Sequence, residues 1–233
     1  NLTRFWRSAS GYVLDAYRHS MLAVGAALAL ALLLGVPLGL LAGRRSHSRL
    51  GLLVRVASSL GTITPSFLVA LAIMVFFVLY VLPATGIRFI RLSGDISIFD
   101  PRRLVPIALT LSVRALAYFV TVAAAATNAV MSGDYVRTAR GKGLHERQVL
   151  WRHILPNVLP AILSAIPVTF IFTLSSLPIV EFVFMWPGLG YRLLLGMIAS
   201  PDPNVSRAAL VCFLFASVGI TYVVVFFLTD LAQ

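Results

Sequence analysis

The stretch DYVRTARGKGLHERQVLWRHILPNVLP, Asp134 to Pro160, decides how this chain is read. Its start, Tyr135 to Arg140, has the composition of a short helix. Gly143 then stands where a helix ends, because glycine takes the left-handed conformation at little cost. Leu144 follows as the apolar residue that packs back after such a turn. A second helix starts near Glu146, whose charge suits a positive helix N-terminus. It passes through Val149, Leu150, Trp151, Ile154 and Leu155, with Leu150/Ile154 and Trp151/Leu155 as i,i+4 pairs. Pro156 and Pro160 mark its passage into a long apolar run. By spacing alone, a helix–glycine–helix elbow and a plain amphipathic surface helix both remain open.

Outward from this segment the chain is strongly apolar. Of 233 residues, 59% are hydrophobic and 12% charged, and the mean hydropathy is +0.94. Soluble domains run at roughly 45–50% apolar and about 25% charged, so an ordinary soluble fold is excluded. Disorder is excluded by the same figures. A membrane span needs about 20 mostly apolar residues. Five runs meet this, at about 21–42, 56–82, 104–131, 158–179 and 208–228. Residues 1–20 read as an external amphipathic segment and 132–157 as a loop at the membrane surface. An odd number of spans puts the termini on opposite sides, and a sixth helix is expected in the full protein.

The net charge is +11, from 19 basic and 8 acidic residues. Most arginines lie in short segments between apolar runs, which reads as membrane flanks and not as a nucleic-acid patch. The positive-inside rule does not orient the chain. Gly43–Arg55 and Ser132–Asn157 hold as many basic residues as the segments on the other side. Gly141-Lys142 is the single Gly-Lys pair. It lacks the preceding glycine and the following Ser or Thr of a phosphate-cradling loop, so this chain does not bind ATP by that motif. No Asp or Glu lies well inside the five runs, which argues against ion-coupled transport. Cys212, within an apolar run, reads as a buried thiol that makes no disulfide.

The spacing of Ala139, Gly143, Leu155 and Pro156 resembles the cytoplasmic "EAA" loop of binding-protein-dependent ABC importer permeases. Arg137 and Thr138 stand in place of its Glu-Ala, and His153 in place of an Ile. DYVRTARGKGL is similar to the form found in dipeptide, oligopeptide and nickel permeases. His145 stands where a Ser often caps the second helix, which implies a weaker cap. GVPLGLLAG (35–43), ITPSFLVAL (63–71), LPATG (82–86) and VEFVFMWPGLG (180–190) resemble other permease segments. The last points to the first of two paired permeases.

The resemblance implies an all-α, polytopic membrane protein of the ABC importer permease fold, with five transmembrane helices in this chain, in the bacterial inner membrane. Its partners would be a second homologous permease, two ATP-binding subunits or domains and an extracytoplasmic substrate-binding protein. No cofactor is expected in this chain, with ATP and Mg in the partner subunits. The implied ATPase-coupling residues are Asp134, Tyr135, Arg137, Thr138, Ala139, Arg140, Gly141, Lys142, Gly143, Leu144, Leu155 and Pro156. Arg114, Glu181 and Trp186 are candidates for the translocation pathway. Against this, Arg114 reads more readily as a snorkelling or structurally paired residue, Asn128 more often as a hydrogen-bonding helix contact and Trp186 at least as well as a member of an interfacial belt. The implied cargo is a di- or oligopeptide, with nickel or haem-like cargo as the alternative. A secondary transporter or channel working without ATP is the reading from a different class.

Overall fold

The computed structural model describes residues 2–46, 48–86, 101–198 and 207–231, and these are helical apart from short connections. Helix α1 covers Leu2–Arg44, α2 Arg49–Ile63 and α3 Ser66–Phe76. A π-helical turn, Phe77–Val81, leads into α4, Leu82–Thr85. Helices α5 (Pro101–Met131), α6 (Asp134–Gly141) and α7 (Glu146–Val149) follow. A second π-helical turn, Leu150–Ile154, joins α7 to α8, Leu155–Val183. Helix α9 is Leu189–Ile198 and α10 Arg207–Leu231.

Four described stretches are long and apolar enough to cross a membrane: Gly11–Arg44, Ser66–Thr85, Arg102–Met131 and Glu146–Val183. The fifth expected span, 208–228, lies within α10, whose described apolar stretch is Phe215–Phe227. Two expected boundaries move. Residues 2–20 are not a separate segment but the first turns of α1. The buried stripe Val13, Ala16, Ser20, Ala23, Ala27, Ala31 keeps a spacing of three or four, so nothing interrupts the helix. The run at 56–82 is broken at Thr64–Pro65. Proline pushes the residue before it out of the helical region, and Thr64 is extended with ψ 124°. Cys212, expected to be buried, is exposed on α10.

The chain divides into two compact units. The first comprises residues 1–27, 65–111 and 171–226, and the second 28–64, 112–170 and 227–233. In the second unit, Gly35, Gly39 and Gly43 lie four apart along one face of α1. A Cβ on Gly39 would stand 2.6 Å from Ala123 Cβ and 2.8 Å from the Val120 carbonyl of α5. One on Gly43 would stand 2.6 Å from the Ala124 carbonyl. The two backbones therefore meet closely, as small residues at every fourth position permit between membrane helices. Gly61 of α2 repeats the device against Ala117 Cβ, at 2.8 Å. Around this contact lies a core that includes Ala31, Phe119, Val136, Ala139, Val149, Ile154 and Val158. In the first unit, Val13 and Ala16 of α1 pack with Leu189 of α9, and Ser66 hydrogen-bonds Ser176 at 2.7 Å.

Both π-helical turns end two residues before a proline, Pro83 and Pro156. Proline has no N–H for the carbonyl four residues back, and its ring collides with that carbonyl. The turns relieve this by bonding five back: Leu82 N–H reaches the Phe77 carbonyl and Leu155 N–H the Leu150 carbonyl. Asn157 Nδ2 also donates to the His153 carbonyl at 2.7 Å. The helix thus continues through Pro156 without a break.

Candidate functional site

The elbow is closed by a Schellman motif. Gly143 has φ +75° and donates its N–H to the Arg140 carbonyl at 2.9 Å. Leu144 N–H reaches back to the Ala139 carbonyl at 3.3 Å. Leu144 then packs against the core that holds Ala139, Val136 and Val149. The second arm begins with a reciprocal cap. Arg147 N–H donates to His145 Nδ1 at 3.3 Å, and His145 N–H donates to Gln148 Oε1 at 3.3 Å. The histidine does cap, and Gln148 supplies the second half of the box.

Three charges fix the angle between the arms. Arg140 donates to Glu146 from Nε at 2.8 Å and from Nη2 at 3.3 Å. Arg44, the last residue of α1, donates to the same carboxylate at 3.2 Å. These pairs are partly exposed, so each contributes no more than about 1 kcal/mol, and their value is directional.

The elbow has two faces. Val136, Ala139 and Val149 are buried, with Leu144 and Leu155 half-buried. Asp134, Tyr135, Arg137, Thr138, Arg140, Gly141, Lys142, Gly143 and Pro156 are exposed. Of the expected coupling residues, Ala139, Leu144 and Leu155 therefore seat the elbow on its own chain, and the polar set faces outward. In the same unit, Arg55, Ser58, Ser59, Thr121 and Asn128 line a cavity of about 280 Å³. Asn128 faces that cavity, where a hydrogen bond to a neighbouring helix was expected.

The expected pathway residues are differently disposed. Arg114 is half-buried on α5 in the second unit. Glu181 and Trp186, in the first unit, are completely buried. Helix α8 ends in a second Schellman motif whose left-handed residue is Met185, φ +51°. Met185 N–H bonds the Phe182 carbonyl at 3.2 Å and Trp186 N–H the Glu181 carbonyl at 2.8 Å. The Trp186 indole N–H donates to the His19 carbonyl at 3.1 Å, and the ring meets His19 edge-on with centroids 5.4 Å apart.

Glu181 is bound on both oxygens. Oε1 accepts from Ser20 Oγ at 2.6 Å. Oε2 accepts from the backbone N–H groups of Gly190 at 2.8 Å and Tyr191 at 3.1 Å. Ser20 Oγ in turn accepts from Leu189 N–H at 2.7 Å. Beyond them, Arg192 hydrogen-bonds the Tyr12 carbonyl and Asp15 Oδ2, and stacks over the Tyr12 ring at 4.1 Å. Asp15, His19, Ser20 and Arg192 had not been singled out from the sequence. The signal available was the close spacing of glycines in Trp186-Pro-Gly-Leu-Gly190, which marks tight packing and not a cargo contact.

These features define a multi-pass, all-helical membrane protein with a helix–glycine–helix elbow between two of its spanning helices. Residues 35–233 match the family described as binding-protein-dependent transport system inner membrane component, and the chain belongs to that family. It is a transport component of the cytoplasmic membrane. A Brucella suis biovar 1 protein named as a peptide permease is 31% identical over 233 residues, covering 100% of this chain and 71% of its own length. The oligopeptide transport system permease protein AppB of Bacillus subtilis is 32% identical over 164 residues, 69% of this chain and 51% of its own. The putrescine export system permease protein SapB of Escherichia coli K12 is 29% identical over 205 residues, 78% of this chain and 64% of its own.

Proposed function

We propose that this chain is a permease subunit of an ATP-driven importer of di- and oligopeptides, supplying half of the translocation pathway. An extracytoplasmic binding protein delivers the cargo, a second permease completes the pathway, and ATP is hydrolysed with Mg in two partner subunits. The elbow is the part that receives their motion. ATP binding closes the ATPase pair around the outward set Tyr135, Arg137, Thr138, Arg140 and Lys142. The elbow moves as one body, because its inner face is bonded to its own core. Helix α8 follows, being continuous with α7 through the π-helical turn, and the permease switches the side on which the pathway opens.

The observation that carries this reading is the two-faced elbow closed at Gly143. Its test is Gly143→Val in the complete reconstituted importer with its binding protein. Valine is strained at φ +75°, so the corner should open. Peptide uptake should fall by about tenfold or more while membrane abundance and basal ATPase stay near wild type. Normal uptake at normal abundance would remove the elbow from the mechanism. The relative named for putrescine export motivates a second cargo arm. Transport of putrescine in preference to peptides would replace the cargo assignment and leave the elbow's role intact.

A further inference from the structure

The first turn of α9 is capped by residues outside it. A helix begins with N–H groups that have no intrahelical partner. In α9 these belong to Leu189, Gly190 and Tyr191. The first intrahelical bond, Arg192 N–H to the Gly188 carbonyl, comes one residue later. The ordinary solution is an Ser, Thr, Asp or Asn side chain at the residue before the helix. Here that residue is Gly188, which has none. A Cβ on Gly188 would collide with Glu181 Oε1 and stand 2.5 Å from Ser20 Oγ. The space is filled by the Glu181 carboxylate and the Ser20 hydroxyl, which together take all three N–H groups. Gly190 is held to the same smallness, because a Cβ there would collide with Pro178.

We infer that Glu181 and Ser20 are positioning residues that set the direction of α9 for recognition of the substrate-binding protein. This rests on the importer reading above: α9 follows the end of α8 away from the elbow, so with the elbow at the ATPases α9 lies on the side from which the binding protein delivers cargo. The carboxylate sits on the positive end of α9, at the end of the helix that leads from the elbow. Arg192 then ties the next turn of α9 to Tyr12 and Asp15 of α1. The start of α9 is therefore fixed to two helices of its unit, and neither Glu181 nor Ser20 is exposed to cargo.

The test uses the complete reconstituted complex with its binding protein, and the variants Glu181→Gln, Ser20→Ala and Gly188→Ala. ATPase rate is measured against binding-protein concentration. The half-saturating concentration should rise by about fivefold or more in each variant, with basal and saturated rates unchanged. Pairs of variants should cost no more than the worst single one, since all three break one cap. An unchanged half-saturating concentration at normal abundance overturns the proposal. So does a fall in the saturated rate alone, or loss of all three variants from the membrane, which would make the cap a folding element only. A wild-type complex that shows no binding-protein-stimulated ATPase would overturn the importer reading itself, and is distinguished by needing no variant.

Discussion

Among the described residues, Gly86, Gly143 and Met185 take the left-handed turn that ends a helix, and the last two differ in cost. Gly143 adopts φ +75° freely. Met185 adopts φ +51° with a side chain in place, at a cost of roughly 1 kcal/mol. Met185→Gly should therefore not destabilise the protein, and a small rise in thermal midpoint in detergent is expected. Gly143→Asn, which tolerates this region better than Val, should keep most of the uptake that Gly143→Val loses. His145→Ser should strengthen the cap of α7 by about 1 kcal/mol, read as slower amide exchange at Arg147 and Gln148. The corner at Gly143 was legible because glycine takes the left-handed conformation at least cost and Leu144 follows in register. Glu181 was ambiguous because a buried polar residue on an apolar helix looks alike whether it serves cargo or a cap. The partner that decides, Ser20, is 161 positions away.

Among the elements, the pairing of α1 with α5 depends on absent side chains. Gly39→Leu would put a branched side chain where a single carbon already approaches Ala123 Cβ to 2.6 Å. It should cost about 2 kcal/mol or more, seen as a lowered thermal midpoint and reduced membrane abundance. Pro156→Ala should remove the need for the π-helical turn and let α7 and α8 join with ordinary four-back bonds. Spin labels at exposed Trp151 and Asn157 would then change their separation. The apolar runs announced the spanning helices well, since length and hydropathy are local properties. Their ends were less legible. Continuation of α1 back past residue 20 goes with a stripe of small buried residues from Val13 to Ala31 that carries little hydropathy, and the break at Thr64–Pro65 falls inside an apolar run.

For the whole molecule, the excess of basic residues oriented nothing. Its informative part is the small set gathered round Glu146, where Arg44 and Arg140 share one carboxylate. Transport should require the ATP-binding partners and should persist when ion gradients are collapsed. Uptake by this permease alone, driven by a gradient, would count against the importer reading. The trans-supplied cap of α9 also bears on how the protein is made. Leu189 to Tyr191 emerge from the ribosome long after Ser20 and shortly after Glu181. The Leu189 N–H can be satisfied only when the Ser20 turn of α1 has been held available through the synthesis of everything between. A chain whose α1 is wrongly inserted should therefore leave the start of α9 uncapped, read as cleavage there by an added protease.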